Sequence, residues 1–219
     1  QELECRQIIE PKEEKQLRGK MPMLQEINDN ISSNVRKQYE ENPYPRWINT
    51  RLSLVSKPIA SVTKEIKLRI KNSDINKVIN PQILIAGCGT GQHSIGTAAR
   101  FKNCDVLAID LSLGSLAYAK RKTEELGISN IEYMQADILD LGVLNRQFDI
   151  IESAGVLHHM DDPMAGWQVL TGCLKAGGLM GIGLYSELAR SHIVQMRHEI
   201  RQSNIGSSND AMKSFRKMI

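Results

Sequence analysis

Residues 83–91 read Ile-Leu-Ile-Ala-Gly-Cys-Gly-Thr-Gly, an apolar run that ends in three alternate glycines. The continuous hydrophobicity from Gln82 to Ala86 is typical of a parallel strand covered on both faces. Residues 92–101 then place Ile95 and Ala98 on one face of a predicted helix. A strand, a glycine turn and a helix in this order predict a nucleotide-type site, because glycines permit a tight turn and the close approach of a ligand.

The glycine spacing narrows the kind of site. A dinucleotide fingerprint is G-x-G-x-x-G, whereas this turn reads G-x-G-x-G and has Gln92 at the position of the third glycine. No Gly-Lys-Ser/Thr follows the turn, which excludes a P-loop. The short pattern is weak by itself, so an NAD-dependent oxidoreductase stays an alternative that Gln92 disfavours.

Two acidic residues follow at the ends of predicted strands. The strand predicted over 105–110 ends in Asp110, 19 residues after the last glycine, about where a doubly wound fold presents an acid to ribose hydroxyls. A carboxylate can accept both hydrogen bonds of a vicinal diol. The alternative is that Asp110 starts a turn or caps the next helix, as Ser112 could also do. Asp137 follows the strand predicted over 131–135 and also falls at a ligand-binding strand end.

Together, these features make residues 83–185 resemble the class I S-adenosylmethionine-dependent methyltransferases. Residues 156–163, Val-Leu-His-His-Met-Asp-Asp-Pro, are similar to the segment after the fourth strand of many small-molecule methyltransferases. Residues 174–184 are similar to the turn into the fifth strand and that strand itself. The resemblance covers about half of the chain. It implies an α/β fold, a doubly wound Rossmann-like and mostly parallel sheet with helices on both faces.

The resemblance also implies roles for site residues. The glycine turn holds the methionine part of S-adenosyl-L-methionine, the acid after the second strand binds the ribose hydroxyls, and the acid after the third strand contacts the adenine amino group. In this chain the corresponding residues are Gly87, Gly89 and Gly91, then Asp110, then Asp137 with Ile138. We add to the candidate cofactor site three neighbouring residues, Cys88, Leu111 and Ser153.

The implied reaction is an in-line displacement that releases S-adenosyl-L-homocysteine. The donor is already activated, so the protein chiefly orients the reactants and excludes water. A general base is needed only where the acceptor must lose a proton, and His158 and His159 are the candidates. The alternative, which we favour for each, is that one bonds to the backbone and the other faces solvent. We expect no metal site here, since adjacent residues rarely converge on one ion.

The N-terminal 80 residues are predicted to form two segments. Residues 1–22 are charged and broken by prolines and a glycine, which favours an arm or linker. Residues 23–80 form a helical extension, with helices predicted over 24–41 and 58–71. Three aromatic residues, one in the first helix and two in the segment that follows it, could form a lid over cofactor and acceptor, although we slightly favour the alternative that they pack the N-terminal helix on the sheet: Tyr39, Tyr44 and Trp47.

Residues 36–47 also resemble the entry segment of methyltransferase domains found downstream of tetratricopeptide repeats. The resemblance implies an upstream repeat domain in a longer product, and the first residue is Gln1 rather than Met. After the predicted α/β domain, 81–185, residues 186–219 are predicted to be helical. They offer no pair of strands for the sixth and seventh strands of the family, so we expect an incomplete substrate region.

Composition sets the remaining expectations. The chain has 219 residues, 41% of them hydrophobic, enough for one core with an appendage. No apolar run approaches the roughly 20 residues that span a bilayer, no signal peptide opens the chain, and the four cysteines form no metal or disulfide pattern. We therefore expect a cytoplasmic protein without membrane contact.

Charge is shared unevenly along the chain. The central domain, 81–185, carries more acidic than basic residues, while both flanks carry more basic ones. An acidic domain suits a cofactor with sulfonium and ammonium groups. The basic flanks lack interleaved aromatic residues, which disfavours nucleic acid. The methyl acceptor, a small molecule or a protein, is not identified, and a cofactor-binding module without turnover is the third alternative.

Overall fold

The protein is described from a computed structural model that covers residues 4–41, 43–53, 55–186, 188–203, 205–206 and 208–217. It forms two compact units that divide between Gly183 and Leu184. The helices and strands, in chain order, are α1 (Glu10–Arg18), α2 (Asn30–Glu41), α3 (Ile59–Glu65), β1 (Gln82–Ala86), α4 (Gln92–Arg100), β2 (Asp105–Asp110), α5 (Leu113–Glu125), β3 (Ile131–Gln135), β4 (Phe148–Ala154), α6 (Pro163–Gly172), β5 (Leu174–Gly183), α7 (Ser191–Gln202) and α8 (Asn209–Arg216). Shorter π and 3₁₀ segments are Cys5–Ile9, Ser73–Lys77, Ile138–Leu144 and Leu157–His159.

The first unit is built on one five-stranded sheet of order β3-β2-β1-β4-β5, in which every neighbouring pair is parallel. The chain runs outward from β1 through β2 to β3, and then returns to the other side of β1 with β4. Open sheets of this kind bind ligands where the strand order reverses, outside the carboxyl ends of the strands. The predicted α/β fold is confirmed, and the switch point lies between β1 and β4.

Alternate residues of β1 enter two separate cores. Ile83 and Ile85 pack into one hydrophobic cluster, whereas Leu84 and Ala86 pack into another. Successive side chains of a strand point to opposite faces, and helices cover both faces of this sheet. This two-sided burial explains why the strand is an unbroken apolar run.

The turn predicted before the fifth strand is an irregularity within β5. Leu174 pairs with Phe148 and Leu179 pairs with Ile150, so four residues of β5 stand opposite one residue of β4. Gly177, in this segment, has a φ of 79°, which a glycine adopts without strain. The Lys-Ala-Gly-Gly sequence thus bulges out of the ladder, and the strand then resumes.

Residues 4–22 of the predicted arm over 1–22, the part that the structure describes, are instead largely helical and packed. Pro11 lies in the first turn of α1, where its missing N–H costs nothing, and Gly19 caps the carboxyl end. The helix is held by the buried carboxylate of Glu14, which accepts a hydrogen bond from Arg121 Nε at 3.1 Å and from Arg46 Nη2 at 3.0 Å. Pro11 and Gly19, which usually break helices, thus lie at the two ends of α1. Arg121, 107 residues away from Glu14 in sequence, holds the helix in place.

The helix predicted over 24–41 begins six residues later, at Asn30. Leu24 instead donates its N–H to the carbonyl of Gln135 at 2.9 Å, so this segment runs along the edge of β3. The carboxylate of Asp29 then accepts a backbone N–H of the first helical turn at 2.8 Å. Pairing with the sheet and this cap together override the helical spacing of the preceding residues.

Two further segments differ in length or content from the sequence expectation. The helix predicted over 58–71 ends at Glu65, and Lys67 has a left-handed φ of 55°. In the second unit, the described residues form α7 and α8 and contain no strand. Within the part of the chain that the structure describes, no helix is long and apolar enough to cross a membrane.

The ion pair between α1 and α5 gives a stability prediction. Replacing Arg121 by Met leaves the carboxylate of Glu14, whose side chain is only 4% exposed, without its buried partner. Because an uncompensated buried charge is costly, we expect the free energy of unfolding to fall by about 3 kcal/mol, measured by urea denaturation. Lys120→Met is the matched control, since its pair with Glu124 is largely exposed and should contribute less than about 0.5 kcal/mol. Equal effects of the two substitutions would contradict a structural role for α1.

Candidate cofactor site

A cavity of about 340 Å³ opens at the carboxyl ends of the strands, at the switch point of the sheet. This volume is within the range of small-molecule sites, about 300–1,000 Å³. Its walls come from the segments that follow β1, β2, β3 and β4, and from helix α2. Of the predicted cofactor-site residues, it is lined by Gly87, Cys88, Gly89, Asp110, Leu111, Asp137 and Ile138.

The three glycines of the turn after β1 all have positive φ, but a side chain would meet different surroundings at each of them. A Cβ at Gly87 would lie 2.3 Å from a methyl of Val156, and one at Gly91 would lie 2.5 Å from the Cβ of Ala119. At Gly89 a Cβ would meet no atom closer than 3.9 Å. Gly87 and Gly91 therefore allow close packing within the protein, whereas Gly89 keeps the cavity wall free of a side chain. Gly91 itself does not line the cavity.

Asp110 joins the end of β2 to the glycine turn. Its Oδ2 accepts the Gly89 N–H at 2.8 Å and its Oδ1 accepts the Ser112 N–H at 3.0 Å. Burial raises the pKa of the Asp110 carboxyl, backbone N–H groups oppose this rise, and the charge of Glu40 adds to it. Asp110 thus makes the turn contacts that the alternative prediction described, and it also lines the cavity; its binding of ribose hydroxyls stays a prediction.

Glu40 is a contributor that the sequence reasoning missed. Its Oε2 accepts the Ser112 hydroxyl at 3.0 Å and the Gly114 N–H at 2.9 Å, at the start of α5. Its Oε1 accepts from Arg18 at 3.3 Å. A carboxylate at a helix N-terminus is stabilised by the exposed N–H groups there. An acid in the last turn of α2 carries no local sign of this contact, because the two groups are 74 residues apart.

Asp137 is buried at the end of β3, where its Oδ1 accepts the Leu139 N–H at 3.0 Å. This hydrogen bond caps the short 3₁₀ segment that Ile138 begins. Asp137 and Asp110 follow neighbouring strands, so the cavity has two carboxylates along one wall. Their predicted contacts with adenine and ribose remain predictions.

The predicted lid divides into two parts. Trp47 is 8% exposed, donates its indole N–H to the Thr90 carbonyl at 3.0 Å and packs edge-on against Tyr118. It does not line the cavity, so packing, the alternative reading, describes Trp47. Tyr39 and Tyr44 do line the cavity.

The structure separates two other predicted cofactor-site residues, Ser153 and Cys88. Ser153 is 1% exposed and donates its hydroxyl to the Ala86 carbonyl at 2.9 Å, within the sheet and outside the cavity wall. Ser153 therefore leaves the candidate set. Cys88 stays in the wall, and burial raises the pKa of its thiol well above the usual value, with the nearby charge of Asp110 adding to the rise. A protonated thiol here acts as a small apolar side chain.

The two histidines after β4, predicted as candidate bases, differ in their position relative to the cavity. His159 lines the cavity and His158 does not, although their ring centroids are 4.3 Å apart. A histidine that the sequence reasoning passed over, His93, lines the cavity directly after the glycine turn. Its Nε2 lies 2.9 Å from Oε2 of Glu152. The sequence did carry a signal for this pair, since Glu152 is an acid that directly follows the apolar residues Ile150 and Ile151 within a predicted strand.

Glu152 is held as a carboxylate by its partners. Burial alone would raise its pKa, but hydrogen bonds from His93 and from the Thr97 hydroxyl, at 2.7 Å, outweigh burial and lower it. Within the described ranges, no cluster of three or more histidine, cysteine or acidic residues is arranged to hold a metal ion.

Comparison with known proteins agrees with this geometry. Residues 83–178 match the model of a methyltransferase domain family. An uncharacterized protein of Synechococcus sp. is 38% identical over 121 residues, which are 55% of this chain and 29% of that protein. A malonyl-acyl-carrier-protein O-methyltransferase of Enterobacter lignolyticus is 31% identical over 120 residues, which are 55% of this chain and 44% of that protein.

Among solved structures, the cyclase SpnF superposes with a TM-score of 0.50 and 22% identity over 74% of this chain and 60% of that one, which shows the fold. The matched part of this chain spans less than half the length of the two curated relatives named above. The glycine turn and the acids at the ends of β2 and β3 all lie within residues 83–178, the part of the chain that is similar to the methyltransferase domain family.

The close contact at Gly91 gives a second prediction. Gly91→Ala adds a methyl 2.5 Å from Ala119 at a φ of 86°, so it combines a clash with backbone strain. We expect a loss of unfolding free energy of about 3 kcal/mol, measured by thermal and urea denaturation. Gly127→Ala is the matched control: its φ is 67° and nothing lies within 4 Å, so strain alone should cost about 1 kcal/mol. Equal losses of unfolding free energy in the two variants would show that close packing against α5 is not the reason for glycine at position 91.

Proposed function

We propose that this protein binds S-adenosyl-L-methionine in the cavity and transfers its methyl group to an acceptor. The observation that carries the proposal is the hydrogen bond from Gly89 to Asp110, 2.8 Å long, in the wall of that cavity. It brings the two elements that the resemblance assigns to the methionine part and the ribose into one site. The family match over 83–178 supports the same conclusion.

The residues present fit this cofactor. Gly89 leaves room for a ligand against the turn, and Asp110 can accept hydroxyl groups while retaining its backbone bonds, because each carboxylate oxygen has two lone pairs. Asp137 offers a second carboxylate beside Ile138, an apolar neighbour for a flat ring. The acids also favour a ligand that carries a sulfonium and an ammonium group.

The bound cofactor would supply an activated methyl group. The protein would then orient the acceptor in line with that methyl and keep water out. Helix α2 contributes to this enclosure, because Ile31, Val35 and Tyr39 line the cavity together with the strand ends. His159 lines the cavity too, and it is the candidate base if the acceptor must lose a proton.

The acceptor is proposed only as a class. The wall formed by α2, together with Met160 and Val156, is largely apolar and favours a small organic acceptor over a charged one. A protein side chain that enters past the exposed Tyr44 is the second candidate. The curated relatives include O-methyltransferases of a malonyl-acyl carrier protein and of ubiquinone biosynthesis, so their names favour no single acceptor.

Two other functions remain to be distinguished from methyl transfer. An NAD-dependent oxidoreductase is disfavoured because Gln92 stands where the dinucleotide fingerprint has glycine. A module that binds the cofactor without turnover would show binding and no transfer to any acceptor. The cyclase with this fold illustrates that fold alone does not fix activity.

The remaining proposals concern setting and partners. We propose a cytoplasmic location, supported by four cysteines that are free thiols. We also propose an upstream repeat domain as a partner in a longer product, supported by the resemblance of residues 36–47. No nucleic-acid or membrane partner is proposed.

The first test is a calorimetric titration of the 219-residue chain with S-adenosylhomocysteine, with NAD as the control ligand. We expect binding of S-adenosylhomocysteine and no heat from NAD. Asp110→Ala should weaken binding by about 1–3 kcal/mol, since it removes a charged acceptor from the proposed ribose contact. Asp105→Ala, at the exposed opposite end of β2, should leave the affinity unchanged.

Three outcomes separate the candidate functions. Binding of NAD in place of S-adenosylhomocysteine would support the oxidoreductase. Equal affinity of the Asp110 and Asp105 variants would remove Asp110 from the site. If the cofactor product binds as expected, a screen of small organic acceptors with labelled S-adenosylmethionine decides between an enzyme and a binding module.

A further inference from the structure

The segment that follows α2 bonds to the glycine turn in a way that the cofactor roles described above do not use. We call residues 43–48, Pro-Tyr-Pro-Arg-Trp-Ile, the strap. The Pro45 carbonyl accepts the Thr90 hydroxyl at 2.6 Å, and the Trp47 indole N–H donates to the Thr90 carbonyl at 3.0 Å. The hydroxyl and the carbonyl of Thr90 are therefore both bonded to the strap, although 43 residues separate Trp47 from Thr90 in sequence.

Thr90 lies between two glycines on which the site depends. On one side, Gly89 lines the cavity and donates its N–H to Asp110 at 2.8 Å. On the other side, Gly91 packs closely against Ala119 of α5. Because glycine has more backbone freedom than any other residue, a turn of alternate glycines needs contacts from elsewhere to keep one conformation. The two bonds from the strap restrict the turn at Thr90, the residue that joins Gly89 to Gly91.

The strap is itself fixed to α5. The Tyr118 hydroxyl donates to the Trp47 carbonyl, and the two aromatic rings pack edge-on with centroids 6.1 Å apart. The Lys122 Nζ donates to the Ile48 carbonyl at 3.0 Å and lies 5.1 Å from the centroid of the Trp47 ring. These contacts hold the strap by its main chain and by its largest side chain. The strap can therefore act as a fixed support for Thr90.

The position of Trp47 separates support of the turn from contact with a ligand. Trp47 is buried and does not line the cavity, whereas Thr90 and Pro45 do. A change at the Trp47 indole nitrogen therefore reaches a ligand in the cavity through the main chain of the turn. This makes Trp47 the residue at which the support can be tested without removal of a ligand contact.

We propose that Trp47 is a positioning residue for the cofactor: its bond to Thr90 holds the glycine turn in the conformation that presents Gly89 to the ligand. The inference rests on the proposed function. It makes cofactor affinity depend on a residue outside 83–178, the part of the chain that matches the methyltransferase domain model. A turn that is held in place before binding loses little conformational entropy when the ligand arrives, so loss of the support should appear as lost affinity.

The experiment compares Trp47→Phe with Trp167→Phe by calorimetric titration of the 219-residue chain with S-adenosylhomocysteine. Trp47→Phe keeps an aromatic ring and removes the N–H that Thr90 accepts, so affinity should fall about threefold to tenfold, as for loss of one hydrogen bond. Trp167→Phe is the matched control. Trp167 packs in a different hydrophobic cluster and does not line the cavity, so affinity should change by less than about twofold.

A second pair of variants tests the other bond to Thr90. Thr90→Val replaces the hydroxyl by a methyl of similar size, which removes the bond to the Pro45 carbonyl, and affinity should fall about threefold or more. Thr90→Ser keeps the hydroxyl and should recover most of that affinity. Because Thr90 lines the cavity, the double variant with Trp47→Phe is also needed. If both substitutions act through the same turn, the combined loss is smaller than the product of the two single losses.

Two further measurements distinguish positioning from a purely structural role. A substitution that only destabilises the fold lowers the unfolding free energy, measured by urea denaturation, and leaves the affinity of the folded protein unchanged. In the chain without ligand, the Gly89 amide donates to Asp110, and its hydrogen exchange can be followed by NMR. We expect this amide to exchange faster in Trp47→Phe than in Trp167→Phe, because the turn has lost its support.

Three results would overturn the inference. Equal affinities of Trp47→Phe and Trp167→Phe would show that the indole N–H does not affect the site. Equal exchange of the Gly89 amide in these two variants would show that the turn keeps its conformation without the strap. Single losses that multiply in the double variant would show that the two bonds do not act through a shared turn. If the wild type does not bind S-adenosylhomocysteine, the proposed function fails and the inference with it; if the wild type binds and one of the three results is found, the inference fails alone.

Discussion

The structure of the site depends on the absence of two side chains. Gly87 packs against Val156 and Gly91 packs against Ala119 at distances that no Cβ would allow. These contacts bring the turn after β1 close to the segment after β4 on one side and to α5 on the other. With the turn held there, its Gly89 N–H reaches Asp110. The geometry of the cavity wall therefore follows from packing that only glycine permits, before any polar group is considered.

A second constraint closes the cavity from the N-terminal side. Glu14 is shared by Arg46 and Arg121, and Glu40 bonds to the start of α5. Both acids are buried or half-buried, so removal of either set of partners would leave a charge without compensation. The extension is thus attached by polar contacts to α5, while Trp47 packs on the same helix through Tyr118. As a result, α2 stands as a fixed wall of the site in the described structure.

The sequence predicted the elements whose signals are local. The apolar runs predicted β1 and β2, the β-forming residues of 131–135 predicted β3, and the cavity lies where the glycines and the strand-end acids indicated. The sequence-based prediction was wrong where contact with a residue distant in the chain determines the local structure. Leu24 pairs with β3 instead of entering α2, and α1 is fixed by Arg121. Ser153 lies near the carboxyl end of β4, as a cofactor-site residue should, but its hydroxyl bonds to the Ala86 carbonyl of the neighbouring strand instead of facing the cavity. Residue spacing alone does not predict which side chains of a buried strand face a ligand site.

The acids of the site combine rigidity with the capacity to bind. Asp110 and Asp137 each accept backbone N–H groups, which fix the side chains before a ligand arrives. Fixed acceptors lose little conformational entropy on binding, so more of each contact appears as affinity. Backbone donors also reduce the cost of burying the charge, yet each oxygen keeps a lone pair for a ligand hydroxyl or amine. Because burial raises the pKa of Asp110, a positive charge beside it would stabilise the ionised carboxylate. A ligand with cationic groups would supply that charge, which links the acidity of the cavity to the charge of the proposed cofactor.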